Sequence, residues 1–512
     1  MKAATPLAID GRHLTLEAIE DVALRKMPVA VTGEARRAVE RARESVDRQY
    51  ALGSAIYGVT TGFGRMANVL IAPSDTEQLQ ENLVRSHAAG TGDPLSIPHV
   101  RAAGVLRVST LAAGHSGVRL STLDLLTEIL NCDVTPYVPS QGSVGASGDL
   151  APLAHMTLTL MGEGKAYFEG ELLSSAVALR KAGLEPIRLA AKEGLSLVNG
   201  TEVMTGIAAL ALLRAERLIK AADVIGAMSL EAFLGTDRVF DERINALRPH
   251  PGQSQVATNL RALLADSVIM LSHRDCGRVQ DPYSFRCIPV VHGSVRDAAR
   301  FARGVIQIEA TSVTDNPLVF AENDEFLTGG NFHGQPVGSA SDTLKAGMVQ
   351  LASISERRIY LLLNGEERGL PLFLANNPGL QSGLMLVQYT AAALVSESKG
   401  LAFPSSVDSI PTSAGQEDHV SMGTIAARTL DAIVENVEGV LACELVAALV
   451  ATDFRRPRTS GIGTGAAYEY ARETIPPMHG DRVLADDIAA ARALLRSGGL
   501  LAAAEQAIGK GL

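Results

Sequence analysis

Apolar residues recur every three or four positions through the second half of the chain, the period of amphipathic helices. Leu344, Met348, Leu351 and Ile354 form one such stripe, in a segment running from about 339 to 363. Comparable segments cover 203–234, 380–400, 422–451 and 486–508, rich in Ala, Leu and Glu, which favour helix. Such stripes predict core and helix–helix seams, not cofactor pockets. The first two hundred residues are patterned differently. Glycine-bearing polar stretches at 57–64, 86–94, 114–117 and 142–149 interrupt shorter apolar runs there. The pattern predicts a mainly α protein, with an N-terminal mixed domain of loops and helices over 1–200 and a long helical bundle over 201–512.

Composition narrows the possible functions. At 512 residues, 46% hydrophobic and 20% charged, the chain is long enough for a large core and reads as globular. A net charge of −10, with no run of Lys or Arg, argues against nucleic acid and anionic membrane surfaces as partners. The most apolar stretch, 440–451, is interrupted by Glu444 and is too short to span a bilayer. No long apolar stretch precedes Asp10 and Arg12, so no secretory signal is expected. Cys132, Cys276, Cys287 and Cys443 lie far apart without a CxxC pair. That spacing predicts reduced thiols in a cytoplasmic protein and no structural metal.

The loop GSVGASGDLAPLAH, residues 142–155, carries the strongest chemical signal. It packs Gly142, Gly145 and Gly148 into seven residues and follows them with Asp149. A phosphate cradle fits poorly, because the Gly-Lys-Ser/Thr ending and the GxGxxG spacing are both missing. Two readings remain open from the loop alone. One is a glycine-rich turn. In the other, glycine's conformational freedom lets the Gly148 nitrogen attack the Ala146 carbonyl. Loss of two waters then leaves a five-membered ring whose exocyclic methylidene derives from Ser147, an electrophile no ordinary side chain supplies.

Further stretches place polar groups among glycines or apolar neighbours. YGVTTGFG carries Tyr57, either an acid–base group or an aromatic plug. RSHAAGTGDP carries His87, and EGLSLVNGT carries Asn199, each equally readable as a local hydrogen-bonding residue or cap. In QDPYSFR, Gln280, Tyr283 and Arg286 recur every three residues and on a helical turn would share a face. An arginine there suits a carboxylate, or simply a solvated surface. QEDHVSM sets Glu417 beside Asp418 and His419 in no trusted metal-ligand spacing.

Taken in order, YGVTTGFG, SHAAG, GSVGASGDLAPLAH, EGLSLVNGT, QDPYSFRC, TDNPLVF, GGNFHGQP and QEDHVSM resemble the aromatic amino acid ammonia-lyases over nearly the whole chain. The resemblance implies that Ala146, Ser147 and Gly148 form 4-methylidene-imidazol-5-one (MIO), with no external cofactor. It implies that Tyr57 is the base for the substrate's β-proton, and that Gln280 and Tyr283 line the prosthetic group and the amine. Arg286, supported by Asn199, would hold the substrate carboxylate, while His87 and the aromatic wall Phe332 would contact its side chain. Glu417 matches a carboxylate that contacts an imidazole, which implies L-histidine as substrate and trans-urocanate and ammonia as products. A tyrosine base, ordinarily near pKa 10, requires neighbouring donors or positive charge to work near neutrality. The resemblance also implies a homotetramer whose sites draw on three chains. The alternatives are a tyrosine or phenylalanine ammonia-lyase, a 2,3-aminomutase, or a non-catalytic helical assembly protein whose tripeptide stays uncyclised.

Overall fold

The periodic segments fold as helices, with ends displaced slightly from the apolar pattern. In the computed structural model, which describes residues 5–512, they are Glu202–Phe233, Gln335–Leu363, Met385–Leu401 and Gly423–Asp453. The 486–508 segment differs from expectation: it is two helices, Leu484–Ser497 and Gly499–Ile508. Gly498, at φ +72°, ends the first of them with its N–H on the Leu495 carbonyl. A left-handed glycine closes a helix end in just this manner, and the apolar spacing continues across it. No helix among the described residues is long and apolar enough to cross a membrane.

The chain divides into two units, neither continuous in sequence. The first comprises the residues up to Leu213 together with Arg303–Asp342 and Pro404–Asp431; the second comprises Arg214–Ala302, Thr343–Phe403 and Ala432–Leu512. In the first unit, short helices are started by side-chain caps: Thr15 accepts the Ala18 N–H, Thr32 that of Ala35 and Ser96 that of His99. The helix Ile97–Ala112 is buried without a break from Val100 to Ala112, so it has no polar face to show. Two arginines, Arg101 and Arg107, are buried along it. Sheet is confined to small ribbons, including a parallel pair that aligns Ala8 with Ala30 and a three-stranded antiparallel sheet ordered Thr135–Pro136, Lys165–Phe168, Glu171–Ser174.

The second unit buries a polar network among its helices. Glu444, which interrupts the most apolar run, accepts hydrogen bonds from Ser229 Oγ at 2.8 Å and Arg358 Nη2 at 2.8 Å, and also from Ser355 Oγ and Arg358 Nε. Arg358 Nη1 lies 3.3 Å from His292 Nε2, and His292 Nδ1 lies 2.8 Å from Asp223. Burial holds the His292 imidazole below its ordinary pKa, against the opposing pull of Asp223. The partners set the tautomer: Nδ1–H donates to Asp223, leaving Nε2 to accept from Arg358. Arg296 and Asn259 complete the shell of Asp223, at 2.6 and 2.9 Å.

Candidate functional site

The loop 142–149 is clamped by neighbours from within the first unit. Ser421 Oγ donates to the Gly145 carbonyl at 2.9 Å, the Met422 N–H donates to Val144 at 2.8 Å, and Ala146 packs against Val420 and Met422. Gly148 adopts φ +74°, and a Cβ there would lie 2.0 Å from the Gly200 carbonyl oxygen. No other residue fits. The next amide, Asp149 N–H, donates to that same oxygen at 2.7 Å.

Asp149 is fully buried and holds the loop to two helix starts. Its Oδ2 accepts the Met204 N–H at 2.8 Å, and its Oδ1 accepts from Thr424 Oγ1 and, at 3.3 Å, from Ser143 Oγ. Burial raises its pKa from 3.8 to about 6, although the Thr424 and Met204 hydrogen bonds oppose the rise. The folded chain therefore retains a proton that the unfolded chain has lost over this interval. Stability from this group falls as pH rises from about 4 to about 6, by a total of about 3 kcal/mol. Chemical denaturation of Asp149→Asn beside the wild type should show the stability difference moving in the variant's favour by about that amount between pH 4 and 7. A difference independent of pH would contradict the assignment.

Ser147 faces a cavity of about 360 Å³ whose lining includes Tyr57, His87, Asn199 and Glu417 among apolar side chains such as Phe63, Leu83 and Leu195. The structure thus brings five of the sequence-derived candidates together around one space. Ser147 Oγ donates to Glu417 Oε1 at 3.1 Å, and Thr412 Oγ1 donates to Glu417 Oε2 at 2.6 Å. The carboxylate is presented by a tight turn in which Ser413 and Ala414 both take φ +52° and Thr412 pairs with Glu417. Tyr57 Oη accepts the Gly64 N–H at 3.1 Å, and its ring meets Phe63 edge-on at 6.4 Å. Buried Thr60 braces this turn, accepting the Ile56 N–H at 2.9 Å and donating to the Ser54 carbonyl at 2.7 Å.

His87 ends the helix Thr76–His87 and pairs through Nδ1 with Ser86 Oγ at 3.1 Å. Burial lowers its pKa, with the Leu83 backbone bond and the charge of Glu417 opposing. Asn199 caps the short helix Glu193–Val198, its N–H on the Leu195 carbonyl. Its side-chain Oδ1 is buried and has no hydrogen-bond partner among the described residues. A buried acceptor left open beside a cavity suits an N–H donor on a ligand. The tripeptide meets the demands of ring closure on three counts: Gly148 is bent and pressed on Gly200, Ser147 faces open space, and Ala146 is seated in an apolar cluster.

Six candidates are not in this lining: Ala146 and Gly148, which flank Ser147 in the loop, and Gln280, Tyr283, Arg286 and Phe332. Pro282, at ψ 152°, precedes a single helical turn, Tyr283–Arg286, so Gln280 lies outside the helix instead of sharing a face with the other two. The Arg286 guanidinium stacks over the Tyr283 ring at 4.7 Å, and Tyr283 is 70% exposed. Gln280 and Arg286 line a recess of about 620 Å³ within the second unit. Phe332, in the first unit, is half-buried beside His333, whose ring stacks on His419. Several contributors carry no sequence signal of their own. The Gly64 donor is a backbone group, and Thr412 and Ser413 sit in no recognisable motif.

The family model for aromatic amino acid lyases matches residues 14–473. The chain is 53% identical over 508 residues to a histidine ammonia-lyase of Sorangium cellulosum, covering 98% of this chain and 99% of that one. The crystal structure of histidine ammonia-lyase from Trypanosoma cruzi superposes with a TM-score of 0.91 at 40% identity, over 98% of this chain and 95% of the other. The tyrosine aminomutase of Streptomyces globisporus superposes with a TM-score of 0.92 at 37% identity, over 98% and 99%.

Proposed function

The chain belongs to the aromatic amino acid lyase family, and we propose that it removes ammonia from L-histidine without oxidation, giving trans-urocanate. The observation that carries this reading is the Glu417 carboxylate, hydrogen-bonded to Ser147 in the cavity that also holds Tyr57. An imidazole N–H is a fitting partner for that carboxylate. The amine of an amino acid is a poor leaving group and its β-hydrogen is weakly acidic, so the elimination needs both an electrophile and a base.

The electrophile would come from Ala146, Ser147 and Gly148. A bond forms between the Gly148 nitrogen and the Ala146 carbonyl carbon; that carbonyl oxygen leaves as water with the amide hydrogens of Ser147 and Gly148. The second water takes the Ser147 hydroxyl and its Cα hydrogen, leaving a Cα=Cβ double bond. The resulting MIO ring supplies an electron-poor methylene carbon that makes the substrate amine a better leaving group.

This chain's own side chains do the rest. Tyr57 Oη receives the β-proton, and the Gly64 N–H stands ready to meet charge on that oxygen, a donor fixed in advance by the backbone. Asn199 offers its open amide oxygen to the substrate's N–H groups. Phe63, Leu83 and Leu195 exclude water and strengthen each polar contact. His87 contacts the substrate side chain from the end of its helix. Gln280, Tyr283, Arg286 and Phe332 are read as completing the site across subunit contacts of a homotetramer, with Arg286 on the substrate carboxylate. The separated cysteines fit a reducing, cytoplasmic setting.

Incubation of the purified protein with histidine, tyrosine and phenylalanine separately tests the reading. A conjugated acrylate from histidine is expected. An acrylate from tyrosine alone, or a β-amino acid, would replace histidine deamination with the related lyase or mutase reaction. Retention of both waters in the intact mass would instead indicate a non-catalytic protein. Glu417→Gln exchanges a charge-assisted hydrogen bond for a neutral one. That loss, about 1–1.5 kcal/mol, should lower kcat/KM for histidine about five- to tenfold. Unchanged steady-state kinetics would remove Glu417 from imidazole recognition.

A further inference from the structure

Arg107 is 2% exposed in a helix whose neighbouring positions are almost all apolar or small. Its Nη2 donates to Glu202 Oε2 at 2.6 Å and to the Asn199 carbonyl at 2.9 Å, and its Nη1 donates to the Ser196 carbonyl at 3.1 Å. Those two carbonyls lie at the end of the helix Glu193–Val198, where no further turn exists to satisfy them. A buried ion pair of this kind is weak evidence for stability, since well-packed apolar residues often do as well. What it does provide is fixed geometry. A guanidinium is a planar fork that can serve three acceptors at once, which an ammonium on a flexible stem cannot do in the same positions.

The next residue along carries that geometry to the loop. Gly200 has φ +146°, and a Cβ on it would lie 2.4 Å from Glu202 Oε2 and 2.6 Å from Arg107 Nη2. Its backbone therefore rests directly on the ion pair. Its carbonyl oxygen, in turn, accepts the Asp149 N–H at 2.7 Å and leaves no room for a side chain on Gly148. The contacts run without a gap from Glu202 through Arg107 and the 199–200 corner to the tripeptide.

We propose that Arg107 is a positioning residue for ring closure: held by Glu202, it seats the Gly200 carbonyl against Gly148 and keeps 146–148 bent so that the Gly148 nitrogen addresses the Ala146 carbonyl. This rests on the reading that the tripeptide cyclises. Misplacement of reacting atoms by about 1 Å costs on the order of 10²-fold in rate.

The full-length chain made by cell-free synthesis, followed by intact mass over time, measures closure as the loss of two waters, independently of turnover. Circular dichroism of the same samples reports folding. Arg107→Lys should fold and lose the waters about 10²-fold more slowly than the wild type. Arg101→Lys is the control. Arg101 is equally buried on the same helix, but it serves the carbonyls of Val22 and Leu130 and the Asp133 carboxylate. It should leave the wild-type rate of water loss unchanged. Should Arg107→Lys not fold, Arg107→Met combined with Glu202→Gln removes both charges and should close slowly. Wild-type closure in a folded Arg107 variant overturns the proposal. Equal slowing by Arg101→Lys, or failure of both Arg107 variants to fold, overturns it as well, since the pair is then only structural. Retention of both waters by the wild type is a separate outcome, and it rejects the cyclisation reading on which the proposal stands.

Discussion

Ser147→Ala is expected to abolish turnover of histidine, by at least about 10³-fold or about 4 kcal/mol of barrier, while the chain folds as before. Alanine keeps the backbone and the bend at Gly148, so the clamp of Asp149, Ser421 and Met422 on the loop persists. What disappears is the hydroxyl that must leave as water, and with it the double bond. Relative to the uncyclised chain, the variant loses a single side-chain hydrogen bond, to Glu417, in a half-buried position. Steady-state assay, intact mass and thermal denaturation together check this. Residual activity near the wild-type level would refute the assigned role of Ser147, and a large fall in stability would mean the loss came from misfolding.

The second large effect concerns stability alone. Glu444→Leu should destabilise the protein by about 3–5 kcal/mol, because it leaves the Arg358 guanidinium buried without its counter-charge. Ser229 and Ser355 lose their acceptor in the same stroke. The penalty arises from the orphaned partner more than from the pair itself. Glu444→Leu combined with Arg358→Met should therefore recover most of the loss. Chemical denaturation of the two variants checks it. Equal destabilisation by the single and double variants would show that the carboxylate's value lies in its hydroxyl partners and not in the charge of Arg358.

The helices were legible because their apolar spacing is long and regular, as in Glu202–Phe233 and Gly423–Asp453. The break at Gly498 is marked in the sequence by the pair Gly498-Gly499, but the apolar spacing that runs on through it favours one continuous helix. Glu444 was visible as an interruption of an apolar run, but its partners come from other helices at Ser229, Ser355 and Arg358, and no local pattern links them. The candidate site behaves similarly. The loop 142–149 announces itself by its glycines, whereas Ser147 and Glu417 meet across a sequence separation of 270. Their association was carried by resemblance, not by spacing. The donor to Tyr57 is a main-chain N–H, which any residue at 64 except proline would possess. For Gln280, Tyr283 and Arg286, three-residue spacing suggested a shared helical face, and Pro282 overrode it.

The contact between Gly148 and Gly200 also has a consequence for the cell that makes this protein. Ala146–Gly148 leaves the ribosome well before Gly200 does, so during synthesis the tripeptide has nothing to press against. If closure waits for that contact, a nascent or misfolded chain carries only an ordinary Ala-Ser-Gly. It then has no reactive carbon with which to capture glutathione or the thiols of chaperones. Reactivity would be confined to chains that have already passed the test of folding, and the warhead is armed by the same contact that certifies the fold.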